Sequence, residues 1–345
     1  VETGYLRTIL EAAVHAPSVH NTQPWRFVVG ADSDAKPFID VFADRERQLS
    51  IVDRDGRELH IGCGAAIEFA RVGARALGRT CIVSLLPDAA DPSHLARIEV
   101  GGLEPPSAEE SKLGEAIPRR FTDRGRFDDR AVPSELIAEL HQIVSAHDAW
   151  LRELDRPGDE VTAVVLLSRA DEIERANPEY KSELAAWTGS RPGARDGVPA
   201  SAVSTPRVAD RASSYKLRDF AAGDESGGPS SSDGTPPPAE HPLVVVLGTV
   251  GDDTHAWLQA GQALGRLLLA AAAAGVAASP MTQVLEVEAT RVQLGAQLGL
   301  LGHPQVLLRM GYGHGHSTTS RRSLDEVTTW QVDQNPSPRE DAAYL

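Results

Sequence analysis

Two stretches of this sequence share one unusual spacing. Gly64 and Gly78 stand fourteen positions apart in an alanine-rich run, and so do Gly261 and Gly275. Aligned on those glycines, Ala66 matches Ala263, Ala74 matches Ala271 and Ala76 matches Ala273. Glycine inside a helix costs about 1 kcal/mol relative to alanine, so Gly62 and Gly64 within the first run predict close approach of another element. Alanine-rich helices match easily by chance. Together with a similar order of elements around each run, however, the spacing predicts an α+β chain of two tandem related halves. The halves are placed at residues 1–103 and 111–345.

The elements follow from periodicity. Tyr5 to Ala16 carries Leu6, Ile9, Leu10, Ala13 and Val14 at helical spacing, and Pro17 ends it. Arg26–Val29 and Phe38–Phe42 read as short strands, Glu58–Leu77 as a long helix, and Cys81–Leu86 and Leu95–Val100 as further strands. Glu104–Glu110 reads as a loop. The second series begins with a short helix to Ile117. It continues with a helix over Pro133–Ala146, a strand over Trp150–Leu154, and helices over Gly158–Ala176 and Pro178–Trp187. Thr188–His241 is rich in Ser, Pro, Gly and Ala, and its tail reads as mobile, with short ordered pieces ahead of it. Pro242–Gly248 is a buried-type strand. Thr254–Ala274 and Glu286–Leu298 are helices, and Gln305–Met310 is a strand.

Bulk properties exclude several classes. With 345 residues and a net charge of −15, the chain can bury a large core and repels nucleic acid and anionic membranes. The longest apolar block, Leu267–Ala274, is too short to span a bilayer. No signal peptide is expected, because the opening residues lack a basic segment followed by an apolar one. The two cysteines, Cys63 and Cys81, are expected as buried thiols in a reducing cytoplasm.

Four segments could carry chemistry. "RRFTDRGR" gathers Arg119, Arg120, Arg124 and Arg126 around Thr122, which suits either a phosphate pocket or a solvated charge run. "TSRRSLDEV" adds Arg321 and Arg322, as a second basic contact or as an exposed tail. "PSVHNTQPW" supplies Ser18, His20, Asn21 and Gln23, whose mixed donors and acceptors fit the edge of a flat heterocycle or a simple turn. "AGVAASPMTQ" offers small residues and backbone amides, or an ordinary helix exit. "GCGAAI" lacks the third glycine of a dinucleotide fingerprint. His314 and His316 are not expected to bind metal, and no residue order suggests a catalytic triad.

"APSVHNTQPWRFVV", "RFTDR" and "TSRRSLDEV", in that order, resemble the flavin-dependent nitroreductase family. "GRELHIGCGA", "WTG" and the Gly197–Pro199 segment resemble its Acg-like branch, and the similarity covers nearly the whole chain outside the Ser/Pro-rich insert. The resemblance implies a nitroreductase-like fold with antiparallel or mixed sheets flanked by helices. It also implies an FMN site built from Ser18, Asn21, Gln23, Arg120, Phe121, Thr122, Arg124, Pro280, Met281, Thr282 and Arg321. A backbone amide at Met281 or Thr282 would meet the ring. Ordinary members are homodimers with flavin between subunits. Here the first half keeps the Ser/Asn/Gln segment and the second keeps the Arg segments, reading "IVSAHDAWLREL" where the former would stand. That division implies an intramolecular pseudo-dimer with one composite FMN site and one lost site, either monomeric or paired again. Phe121 and Thr319 replace polar or basic positions, which would cost about 1–2 kcal/mol per lost charge-assisted bond unless Arg119 or Arg322 compensates.

Three functions follow from the resemblance and the insert. One is an FMN-dependent oxidoreductase taking hydride from NADH or NADPH and reducing a nitro compound or quinone, with no dedicated catalytic side chain. Another is a catalytically silent FMN-storage protein with a lid at about 188–241. A third is a non-flavin interaction module on an inherited fold.

Overall fold

The computed structural model describes residues 4–189, 193–199, 202, 218, 240–313 and 319–331. It is an α+β structure with two sheets flanked by helices. The first half runs α1 (Gly4–Val14), β1 (Trp25–Ala31), β2 (Pro37–Ala43), α2 (Arg57–Ala76), β3 (Arg79–Leu85) and β4 (His94–Leu103). After α3 (Ala108–Ala116) the series repeats. It runs α4 (Ser134–Ser145), β5 (Ala149–Glu153), α5 (Asp159–Ala176), α6 (Pro178–Trp187), β6 (Leu243–Thr249), α7 (Thr254–Ala273) and β7 (Ala277–Pro280). It closes with α8 (Gln283–Glu286), α9 (Glu288–Leu298), β8 (His303–Gly311), α10 (Leu324–Val327) and β9 (Thr328–Trp330).

The strand orders display the duplication. One sheet is β3-β4-β2-β1-β9 and the other, read from the matching end, is β7-β8-β6-β5. Within each four-strand repeat every neighbouring pair is antiparallel. Helices α1 and α4 precede the first strand of each repeat, and α2 and α7 join its middle strands. The second half differs by inserting α5 and α6 before β6, and α8 and α9 before β8.

Gly64 and Gly261 are explained by a helix crossing. A Cβ on Gly64 would stand 2.9 Å from the Gly261 Cα, and one on Gly261 would stand 2.8 Å from the Gly64 Cα. Helices α2 and α7 therefore touch backbone to backbone, and no side chain fits between them. Around this crossing one core forms from both halves, with Phe27, Ile67 and Phe69 of the first beside Leu247, Leu258 and Leu267 of the second.

Four details depart from the sequence reading. Residues 108–110, read as loop, begin α3, because Ser107 and Glu110 form a capping box. The helix expected over Glu286–Leu298 is broken at Val287, whose ψ of 111° is extended. Residues 277–280 form the edge strand β7, where a loop exit was one reading. Strand β9 was not anticipated. It runs parallel to β1, pairing Phe27 with Thr328 and Val29 with Trp330, so the end of the second half completes the sheet of the first. Among the described residues, no helix is long and apolar enough to cross a membrane. No cluster of three His, Cys, Asp or Glu side chains among them could hold a metal ion, and His314 and His316 lie outside them.

Candidate functional site: a crevice between the halves

Residues 15–24, between α1 and β1, form the first wall. His20, Asn21 and Gln23 all adopt left-handed backbone, with φ of 46°, 55° and 52°. Such conformations cost about 1–3 kcal/mol each in residues with a side chain and persist only where the surroundings impose them. The imposing bonds are visible. The Gln23 amide N–H donates to Ser18 Oγ at 2.9 Å. Asn21 Nδ2 donates to Gly197 O at 3.0 Å and Ser320 O at 3.1 Å. Gln23 Nε2 donates to Arg195 O at 2.8 Å, and Gln23 Oε1 accepts from the Arg322 amide at 2.8 Å. These two amides fasten the loop to residues 193–199 and to the C-terminal basic segment.

The second wall is the loop that follows Ile117–Arg119. Thr122 bridges to Ala278 of β7, and the Asp123 amide donates to Ala278 O at 3.1 Å. Arg309 of β8, fully buried, donates to Gly125 O at 2.7 Å and Asp123 O at 3.2 Å and pairs with Glu240 at 3.2 Å. A buried cation thus holds the arginine-rich loop against the second sheet.

Between the walls lie two adjoining cavities that share Pro17, Ser18, Thr122 and Arg124. The first is lined by Asn21, Arg120, Phe121 and Arg321, with His15 and Arg119 beside them. The second has apolar walls from Ile61 and Gly62 of α2, Leu264 of α7 and Val306 of β8, with Pro280 and Thr282 opposite. Nine of the eleven expected site residues therefore line one continuous crevice.

The other two do not. Gln23 is fully buried and serves as the clamp just described. The Met281 side chain packs in the core of the second half, and its amide is used by Leu307 O at 2.8 Å, which leaves Thr282 as the candidate ring-facing amide. Of the two suggested compensating arginines, Arg119 reaches the cavity, whereas Arg322 pairs with Asp44 at 3.6 Å. Thr319 orients Arg321 by accepting from its Nη1 at 2.6 Å. The proposed lid at 188–241 lies largely outside the described residues.

The electrostatics of the first cavity are one-sided. Burial pushes Arg120 down to about 9, and neighbouring Arg321 pushes the same way. Burial alone lowers Arg321 to about 10. Burial, then Arg218, lowers Arg124 to about 10. His15 is lowered by burial and by Arg321 and Arg120. No carboxylate among the described residues offsets the charge of Arg120 or Arg321, and the buried Nε atoms of both lack a hydrogen-bond partner. Converging half-buried cations without counter-charge are complementary to a dianion.

The pseudo-symmetric crevice is built differently. Residues 146–148 connect α4 to β5, where residues 15–24 connect α1 to β1. With Gly64 matched to Gly261, Gly62 corresponds to Gln259. A Cβ at Gly62 would stand 3.2 Å from the Ser18 Cβ. Gln259 instead donates to Asp148 at 2.9 Å. The second position has a three-residue connection in place of that loop and carries a hydrogen-bonded side chain where the first has glycine.

Comparison with known proteins agrees with this architecture. The nitroreductase family model matches residues 1–52 and 235–312, pieces of both halves that meet across the crevice. A Mycobacterium tuberculosis protein provisionally named as an NAD(P)H nitroreductase is 36% identical over 330 residues, which cover 94% of this chain and 91% of the relative. The chain belongs to the nitroreductase family. Within it, the M. tuberculosis protein Acg, also provisionally named an NAD(P)H nitroreductase, is 29% identical over 95% of this chain and 96% of its own. An uncharacterized M. tuberculosis protein is 28% identical over 98% and 96% respectively. For this nitroreductase-family chain, sequence reasoning missed the polar end of the second cavity. There Glu58 and Arg218 join Gln283, and Arg218 donates to His20 Nε2 at 2.8 Å and pairs with Glu286. Glu58, His20 and Gln283 lay within quoted motifs, whereas Arg218 and Glu286 did not, and nothing in the spacing links these residues.

Proposed function

We propose that this chain binds one FMN in the composite crevice and acts as an NAD(P)H-dependent flavin oxidoreductase on nitro compounds or quinones. The observation that carries the reading is the convergence, from opposite halves, of Arg120, Arg124 and Arg321 with Ser18 and Asn21 on one cavity. The orphaned Nε atoms of Arg120 and Arg321 fit a phosphate, and the apolar second cavity fits a flat ring. In this reading Arg120, Arg124 and Arg321 hold the phosphate. Ser18, Thr122, Pro280 and the Thr282 amide orient the ring, and Phe121 screens the phosphate end from water. FMN when bound supplies two-electron transfer between nicotinamide and acceptor, and the protein supplies position and electrostatics.

A second reading, a silent FMN-storage protein, is supported by Arg218, which lines the ring cavity between His20 and Glu286 and narrows the space for a nicotinamide. Anaerobic mixing of the flavin-loaded protein with NADPH separates the two. Rapid bleaching supports the oxidoreductase. Bleaching by dithionite alone refutes it in favour of storage.

A further inference from the structure

The wall at the polar end of the ring cavity has a second cavity behind it. That outer cavity is lined by Asp53, Asp55, Arg57, Glu286 and Glu288. Consecutive residues at the start of α2 divide between the two spaces: Arg57 faces the outer cavity and Glu58 the ring cavity. Their side chains are joined, Arg57 Nη2 donating to Glu58 Oε1 at 2.5 Å, and Arg57 Nη1 is held by Gln305 O at 2.6 Å. Glu286 repeats the pattern. It lines the outer cavity, while its partners Thr282 and Arg218 line the inner one. Asp53 fixes the register by accepting from the Glu58 and Leu59 amides, both at 2.8 Å.

We propose that Glu58 is the proton donor of the ring cavity, delivering the proton that accompanies two electrons into the acceptor and recovering it from water in the outer cavity. This rests on the oxidoreductase reading above. A quinone that takes a hydride from reduced flavin gains two electrons and one proton, and it needs one proton more. The Glu58 O–H bond breaks, the proton forms an O–H bond on the quinone's second oxygen, and the electron pair stays on the carboxylate beside Arg57. Water then restores the proton, and the net change is NAD(P)H, quinone and one proton to NAD(P)⁺ and hydroquinone. General acids act best when their proton is held near working pH.

The charges around Glu58 suit that task. Burial pushes its carboxyl up, Arg57 opposes, Glu286 and Asp53 push it further up, and Arg218 opposes, leaving it at about 7. Among the neighbouring groups, Arg218 holds Glu286 below the usual carboxylate range against the effect of burial, so Glu286 keeps its negative charge while Glu58 carries the proton. Burial keeps His20, on the same cavity, neutral at about 3, which removes it as a competing donor at neutral pH.

The test uses the full flavin-loaded chain and Glu58→Gln. Dithionite-reduced protein is mixed with a quinone at pH 5 to 9, and reoxidation of the flavin is followed. The wild-type rate is expected to fall about tenfold per pH unit above about 7, and Glu58→Gln to be pH-independent and about 100-fold slower, with FMN affinity within about threefold of wild type. Infrared difference spectra of the wild type, flavin oxidised against reduced, should contain a protonated-carboxyl band that titrates near pH 7 and is missing in the variant. If Glu58→Gln fails to fold, the wild-type band decides alone, and its absence overturns the proposal. Bound flavin with a pH-independent wild-type reoxidation overturns the proton donor while leaving the functional reading intact. A chain that takes up no flavin overturns both.

Discussion

Replacing Gly261 by alanine tests whether the two halves meet through the backbone. The new methyl would lie 2.8 Å from the Gly64 Cα and 2.9 Å from the Ile61 carbonyl carbon, at least 0.5 Å inside the 3.4 Å at which ordinary contact begins. Every close neighbour is backbone, so relief requires α2 and α7 to separate. Overpacking costs about 1–3 kcal/mol where side chains can adjust, and a backbone clash belongs at the upper end. Alanine returns about 1 kcal/mol of helix propensity, leaving a net loss of about 2 kcal/mol. Gly295→Ala is the matched control. It lies in α9 with nothing within 4 Å of the added Cβ, so it should be neutral or stabilising by up to about 1 kcal/mol. Urea denaturation measures both. Because Ile61, Gly62 and Leu264 line the ring cavity, Gly261→Ala should also weaken FMN binding. A Gly261→Ala protein as stable as Gly295→Ala would refute the close crossing.

Other outcomes follow from the same structure. Arg120→Ala should weaken FMN binding by about 1.5–3 kcal/mol, the range for a charge-assisted hydrogen bond, and leave riboflavin binding nearly unchanged; isothermal titration with both flavins checks this. Asn21→Ala should weaken FMN binding from the opposite half, with lower stability as well, because it releases both Gly197 and Ser320. Glu240→Gln leaves buried Arg309 without its charge partner and should cost about 3–5 kcal/mol, read as a lower thermal midpoint. Glu174 is raised by burial to about 9. The folded protein then binds more protons than the unfolded chain between about pH 4.5 and 9, so this group's contribution to stability is lost as pH rises through that window. Glu174→Gln should flatten the decline in a pH series of melts.

The architecture was legible where one face of a local segment was marked by periodicity. Leu6, Ile9, Leu10 and Val14 located α1, and the helical glycines Gly62 and Gly64 marked α2 as a place of close approach without naming α7 as its partner. Strand β9 was not legible. Three residues are too few for a pattern, and their partner, β1, lies about 300 positions earlier. Ser107 and Glu110 had the spacing of a capping box, but no strong apolar run followed to draw attention to it. At the site, residue chemistry was easier to read than direction. The amide of Gln23 announced hydrogen bonding, yet only the fold shows that its partners are Arg195 and Arg322 and not a ligand. Glu58, Arg218 and Glu286 come from three distant segments, and their shared environment exists only after folding.

The composite site requires one crevice per chain, walled by both halves. Titration of the purified chain with FMN, followed by flavin fluorescence and calibrated by protein mass, tests it most directly. One FMN per 345-residue chain is expected, with binding lost in the Arg120→Ala, Asn21→Ala double variant. Two FMN per chain, or binding unchanged in that variant, would contradict it.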